Sequence, residues 1–325
     1  MKKIRKYIYL LLIFSYVSFT SCEDFALGEK FLQKPPSGDV TIDTIFSTAE
    51  YARRVLWYAY SKLPYGFSTG YNNSTSMRVG SIESLTDLAQ SYVGYAGADK
   101  LYYPGLYNAG SEDESGGEAH ATKYNMYARD PWKGIRHAWV FINNVDRVPD
   151  MTAEEKLRLK AEAKITIAVQ YSEMLRHYGA LPIVDHAIMP EEMGLPERAT
   201  LQQTVDFITR LLDEAIACKE LPWALPEDDL SNESGRMTGA AAMGLKLRVL
   251  LFVASPLFNS DEPYFPGEAS DKLMTWFGGY SEQRWKDAAK AGEDFFKSWK
   301  QGGFYELVQK ETATKNTIRQ AFQDA

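Results

Sequence analysis

Cysteine is nearly absent. The 325-residue chain has two, Cys22 and Cys218. That leaves no disulfide framework and no thiolate metal site. Histidine is scarce as well: His120, His137, His177 and His186 are all there is, and none falls in H-E-x-x-H or a comparable spacing, so no metal is expected. Basic residues are outnumbered, 36 against 43 acids, for a formal charge of -7. The basic stripe of a nucleic-acid binder is therefore missing. There is no phosphate loop and no G-x-G-x-x-G, so no cofactor is expected. No segment alternates with period two for long, which predicts few and short strands.

Catalytic constellations are missing too. "GFSTG" (Gly66 to Gly70) matches G-x-S-x-G, but that motif needs a strand before the serine and a helix after it. Here a helical pattern and Pro64 precede it and a Gly/Asn loop follows, so no nucleophile is expected. A glycosidase pair depends on carboxylate separation in space, and choosing one from 43 acids would be arbitrary. "EDESGGE" (Glu112 to Glu118) reads as a solvated acidic loop rather than a cation site. The chain is read as a non-enzyme.

What the chain does have begins at its N-terminus. Lys2, Lys3, Arg5 and Lys6 form a positive region, and Tyr7 to Phe19 an apolar one too short for a comfortable membrane span. Phe19-Thr20-Ser21 then leads into Cys22. This resembles the bacterial lipobox, with Phe19 where Leu is usual. The resemblance implies a signal peptide over residues 1–21 and lipid acylation of Cys22, which would anchor the chain stably. Residues 22–45 read as a tether, and 46–325 as one domain. Cys218, in "LLDEAIACKEL", reads as a small buried side chain of a helix.

Helix signals dominate the body. Ser47 with Glu50 reads as a capping box, with Phe46 and Tyr51 as its staple, before a helix bearing Val55, Leu56, Tyr58, Ala59 and Leu63 and stopped by Pro64. Ile135, Ala138, Trp139, Ile142 and Val145 form a second stripe. Thr152/Glu155 opens a third helix that ends at Gly179. Thr200/Gln203 opens a fourth, with Val205, Ile208, Leu212 and Ala215 inward. "TGAAAMGLKLRVLLFVASP" is apolar nearly all round and is expected to be buried on all sides. A last helix places Trp285, Ala288, Ala289, Gly292, Phe295, Phe296 and Trp299 on one face. Trp57, Trp139, Trp285 and Phe295 are read as core. Ala and Gly on packing faces predict a mainly α fold of tetratricopeptide-like antiparallel helix pairs with long irregular loops.

Residues 65–131 break this pattern. Gly, Ser, Asn and Tyr dominate, with room for one short helix in "SIESLTDLAQSY". A stretch this long needs a function. Aromatics make up 13% of the chain, including 20 Tyr and 7 Trp. A sugar ring has an apolar face and a polar rim, so a site for it wants a flat aromatic beside hydrogen-bonding groups. Candidates are Tyr71 with Asn72 and Asn73, then Tyr92, Tyr95, Tyr102, Tyr103 and Tyr107. A second candidate is "MTWFGGY", with Trp276, Phe277 and Tyr280.

Several segments together resemble the SusD/RagB family of Bacteroidetes outer-membrane nutrient-binding lipoproteins. They are Cys22-Glu23-Asp24-Phe25, "IFSTAEYARRVLWYAYSKL", "WKGIRHAWVFINNV", "RATLQQTVDFITRLLDEAIACKELP", "GRMTGAAAMGLKLRVLLFVASPLFN" and the helix of Trp285. The sharpest match is "AEAKITIAVQYSEMLRHYGALPIV", an Ala-Glu-Ala helix ending in a Tyr178-Gly179-x-x-Pro182 turn. Ile165, Thr166 and Ile167 stand where many relatives carry Arg. The resemblance implies an outward-facing lipoprotein of the outer membrane that captures glycans, or for some members peptides. It implies a SusC-like TonB-dependent transporter as partner, with no catalysis and no nucleic acid. A surface glycosidase is the remaining alternative. Family members run on well past "RQAFQDA", so a shortened chain with exposed apolar helix faces is expected.

Overall fold

The computed structural model describes residues 41–63, 87–88, 90, 103–106, 130–188, 192, 194, 196–302, 314 and 319. The chain divides into two units, Met1–Ile45 and Phe46–Ala325. In the first, a short helix, Ile42–Ile45, is capped by Thr41, whose hydroxyl accepts the Thr44 N–H at 3.2 Å. The longer helices all belong to the second: α1 (Ala49–Ser61), α2 (Asp130–Asn144), α3 (Ala153–Tyr178), α4 (Leu201–Ile216), α5 (Gly239–Ala254) and α6 (Glu282–Gly302). Among the described residues no strand forms, only one isolated antiparallel bridge between Pro182 and Arg198.

Caps set where these helices begin. Thr152 and Thr200 accept the N–H groups of Glu155 and Gln203, as the sequence predicts. At Thr200 the capping box is complete, because Gln203 returns a bond to the Thr200 N–H. At Thr152 it is not, since Glu155 turns to Arg53 of α1 at 2.6 Å. Thr238 caps α5. The start of α1 differs from expectation: the cap is Thr48, not Ser47. Asp150 reaches the Ala49 N–H at 2.7 Å and fixes that register from outside the helix. The expected staple is absent as well, because Phe46 is buried while Tyr51 is exposed.

Each helix packs on the next, and side-chain contacts give the directions. Phe46 meets Phe141 while Tyr58 meets His137, so α1 and α2 run antiparallel. Trp132 meets Tyr171 while Lys160 pairs with Asp146, so α2 and α3 do too. Lys164 pairs with Glu214 across α3 and α4, and Lys246 with Asp213 across α4 and α5. Gly292 lies against Leu247, and Gly244 against Phe295, bringing α6 antiparallel onto α5. Arg53–Glu155 and Tyr60–Glu162 make α1 and α3 parallel, as alternation requires. The result is the tetratricopeptide-like array expected from the sequence. Its core includes Leu56, Ile135, Phe141, Leu159, Tyr171 and Ile208.

One polar cluster sits inside this apolar frame. Glu162 is fully buried, accepts from Tyr60 Oη at 2.8 Å, and pairs with Arg236 at 2.6 Å and Arg158 at 3.1 Å. Glu233 pairs with both arginines. Arg236 also lies over the Trp57 ring. Burial and the Glu162 charge push the Tyr60 phenol far above its ordinary range. The cluster joins α1, α3 and the segment before α5.

Three expectations about burial are corrected. Trp57 and Trp285 are exposed rather than core, whereas Trp139 is buried. On α6 the seam against α5 is Ala288, Ala291 and Gly292, and Phe296 and Ala289 point away from it. Among the described residues α5 is the main neighbour of α6, and a helix packed chiefly on one side buries a narrower stripe than its apolar pattern allows. The third is α5, which is not buried all round: Leu251 is 50% exposed. Its neighbours α4 and α6, with a lesser contact from α3, leave part of its circumference open. Cys218 lies just past α4 and is half-buried.

Candidate functional site

Alternating directions sort the connections between two ends of the array. Residues 145–152 and 217–238 turn at one end. Among the described residues, the segments 179–188, 196–200 and 255–281 lie at the other. That second end carries Trp276, Phe277 and Tyr280 from the predicted set, and its backbone is held by a connected frame.

The frame starts at the end of α3. Gly179 adopts φ 73, and a Cβ there would come within 2.7 Å of the Met274 carbonyl oxygen. Ala180 then donates to that same oxygen at 2.7 Å. Leu201, opening α4, donates to the Leu273 carbonyl at 2.8 Å. Arg198 donates to the carbonyls of Ala180 and Tyr178, and partial burial lowers its pKa. The Tyr178-Gly179-x-x-Pro182 turn is thus the seat on which the 255–281 loop rests.

That loop is closed by Asn259, which is buried. Its Nδ2 donates to the carbonyls of Ala254 and Ser281, and its Oδ1 accepts from Ser281 N at 2.7 Å and Arg284 at 2.8 Å. Phe277 N donates to the Phe258 carbonyl at 3.1 Å. The predicted aromatics divide by role within it. Trp276 donates its indole N–H to the Ser270 carbonyl at 2.9 Å and holds the loop together. Phe277 lies under the Arg284 guanidinium, 4.0 Å from its ring centre, beside a groove of about 340 Å³ between α4 and α6. Tyr280 is 54% exposed and available. The sequence reading missed the two most exposed rings among the described residues. Tyr264 and Phe265, between Pro263 and Pro266, are each 82% exposed. The signal was present: paired aromatics between prolines in a stretch with no periodicity.

A cavity of about 550 Å³ opens beside the same frame. Trp132, Ile135 and Arg136 of α2 form one wall; Pro182, Val184, His186, Ile188 and Pro196 form the other. The second wall is fixed from below. Tyr171 donates to the Pro182 carbonyl at 2.9 Å and accepts from Val184 N at 2.8 Å, while Trp139 donates to the Val184 carbonyl at 2.9 Å. Trp132 stands perpendicular to Tyr171 with ring centres 6.0 Å apart. His186 lies between Glu192 and Asp185, each 2.8 Å from a ring nitrogen. Those carboxylates, Glu192 first, raise its pKa.

Of the other sequence candidates, Tyr103 is exposed on a turn. Cys22, Tyr71, Asn72, Asn73, Tyr92, Tyr95, Tyr102 and Tyr107 lie outside the described residues, as do "GFSTG" and "EDESGGE". Among the described residues no group of three or more His, Cys, Asp or Glu is placed to hold a metal ion, and no helix is long and apolar enough to cross a membrane.

No family model matches the sequence, and no curated protein does. Solved structures match well. The protein BT4246 superposes on 85% of this chain with a TM-score of 0.59 and 22% identity. A SusD-like protein from Bacteroides fragilis covers 85% at 0.51 and 18% identity. The chain has the SusD-like fold. A SusD homolog from Bacteroides thetaiotaomicron agrees, covering 82% at 0.50 and 16% identity. The chain spans 43%, 42% and 43% of these three chains, less than half of each. The frame, the aromatic loop and the cavity are what this SusD-like array carries at one end.

Proposed function

We propose that the protein is a non-enzymatic, glycan-binding lipoprotein of the outer membrane, facing outward and anchored through Cys22. It captures oligosaccharide at the loop end of the array and passes it to a SusC-like TonB-dependent transporter. The observation that supports this best is the display of Tyr264, Phe265 and Tyr280 on a hydrogen-bonded loop. Free aromatic rings on a rigid support suit the C–H face of a sugar. Asp261, Glu262 and Glu268 stand close in sequence as acceptors for hydroxyls.

Glycan-array screening followed by calorimetry tests this. Tyr264→Ala and Phe265→Ala should each weaken the glycan that binds by about tenfold, roughly 1.4 kcal/mol per ring contact. Unchanged affinity in both, and in Tyr280→Ala, would remove this loop from the site. Reducing ends released during incubation with polysaccharide would contradict a pure binder. A peptide-uptake role is the second reading, favoured by the apolar walls of the Trp132 cavity. It predicts peptide binding with an empty glycan array.

A further inference from the structure

We propose that the Trp132 cavity selects an acidic sugar, a uronate, with Arg136 as the residue that binds its carboxylate. This rests on the glycan reading and names the ligand class for one part of the same face. Arg136 lies on the cavity wall and forms no ion pair or hydrogen bond with any described residue. By contrast Arg53 is taken by Glu155, Arg236 by Glu162 and Glu233, and Arg198 by backbone carbonyls.

Two described acids on the facing segment, Asp185 and Glu192, are paired elsewhere than on Arg136. Asp185 and Glu192 both hold the His186 ring, whose positive form they favour and which offsets one of their two charges. The rest of the wall is apolar, with Ile135, Val184 and Ile188. A guanidinium beside such a surface attracts an anion more strongly than one in open water. It also matches a carboxylate with two parallel hydrogen bonds. Trp132 supplies a flat face one turn away on the same helix. A uronate has both features the cavity addresses, an apolar ring face and a carboxylate at the ring edge. A volume of about 550 Å³ lies within the range of small-ligand sites, roughly 300–1,000 Å³.

Calorimetry of the protein against an oligogalacturonate, its methyl ester and a neutral oligosaccharide panel tests the proposal. The acid should bind at least tenfold tighter than the ester. Arg136→Gln should lower acid affinity about ten- to a hundredfold, the worth of a charge-assisted hydrogen bond, and leave the ester unchanged. Arg136→Lys should restore part of the loss, and a melting curve unchanged from the wild type confirms folding. Equal binding of acid and ester, insensitive to Arg136→Gln, overturns the selection and leaves the glycan reading intact. So does binding of neutral sugars alone. Binding of no glycan at all overturns both. A peptide ending in an apolar residue that binds through Arg136, with no uronate binding, assigns the cavity to peptide carboxylates instead.

Discussion

Glu162 shows how much a single buried charge can carry. It has no water to turn to, so its stability depends on Tyr60, Arg158 and Arg236 all being in place. Glu162→Ala should destabilise the fold by about 3–5 kcal/mol, because Arg158 and Arg236 would lose their buried anion and keep only Glu233. Tyr60→Phe should cost less, about 1–2 kcal/mol, for the lost bond to Glu162 and the lost acceptor of the Met237 N–H. Urea unfolding of both variants measures the order, and a reversed order would contradict the cluster's geometry. His186 behaves differently because it is exposed. Its pKa is raised in the fold, so the tie to Asp185 and Glu192 is fully present below about 6.5 and is lost as pH rises through the higher folded value. An NMR titration of the His186 ring should give a midpoint above that of an unstructured histidine. A midpoint at or below it would mean the two carboxylates do not hold the ring.

At the scale of elements, the turn after α3 and the 255–281 loop act as one piece. Gly179→Ala would place a methyl group within 2.7 Å of a backbone oxygen while forcing a left-handed residue. It should cost about 1–3 kcal/mol from the backbone strain alone and loosen the aromatic loop with it. Hydrogen exchange at Ala180 and Leu201 should accelerate in the variant, and protection equal to the wild type would separate loop from turn. Much at this scale was legible beforehand. Thr152, Thr200 and Gly179 announce helix ends through local chemistry, and the structure uses all three. What escaped the sequence was decided from a distance. Thr48 rather than Ser47 caps α1, and the Ala49 N–H at its start is taken by Asp150 from across the array. Trp276, a predicted ligand ring, also spends its indole N–H on Ser270 inside its own loop, a bond no local pattern announces. Trp57 and Trp285 sit on apolar stripes yet face outward, because a stripe does not reveal how many neighbours a helix will have. The exposed pair Tyr264 and Phe265 lay in a non-periodic stretch, where pattern reading has little hold.

For the whole molecule, the open side of α5 and the proposed anchor lead to separate tests. Leu251→Gln should shift unfolding by no more than about 0.5 kcal/mol, as for other exposed positions. A larger loss would mean that something covers that side in solution. Cys22→Ala should release the protein from the membrane fraction while glycan affinity stays the same; retention in the membrane would refute the proposed lipid attachment. The alternation of helix directions has a consequence of its own. Gaining or losing a single helix would reverse every later one and carry its loops to the wrong end, whereas helices added or lost in pairs would not. Parity therefore constrains how such an array can change its length, while the sequence of each recognition loop remains free to vary.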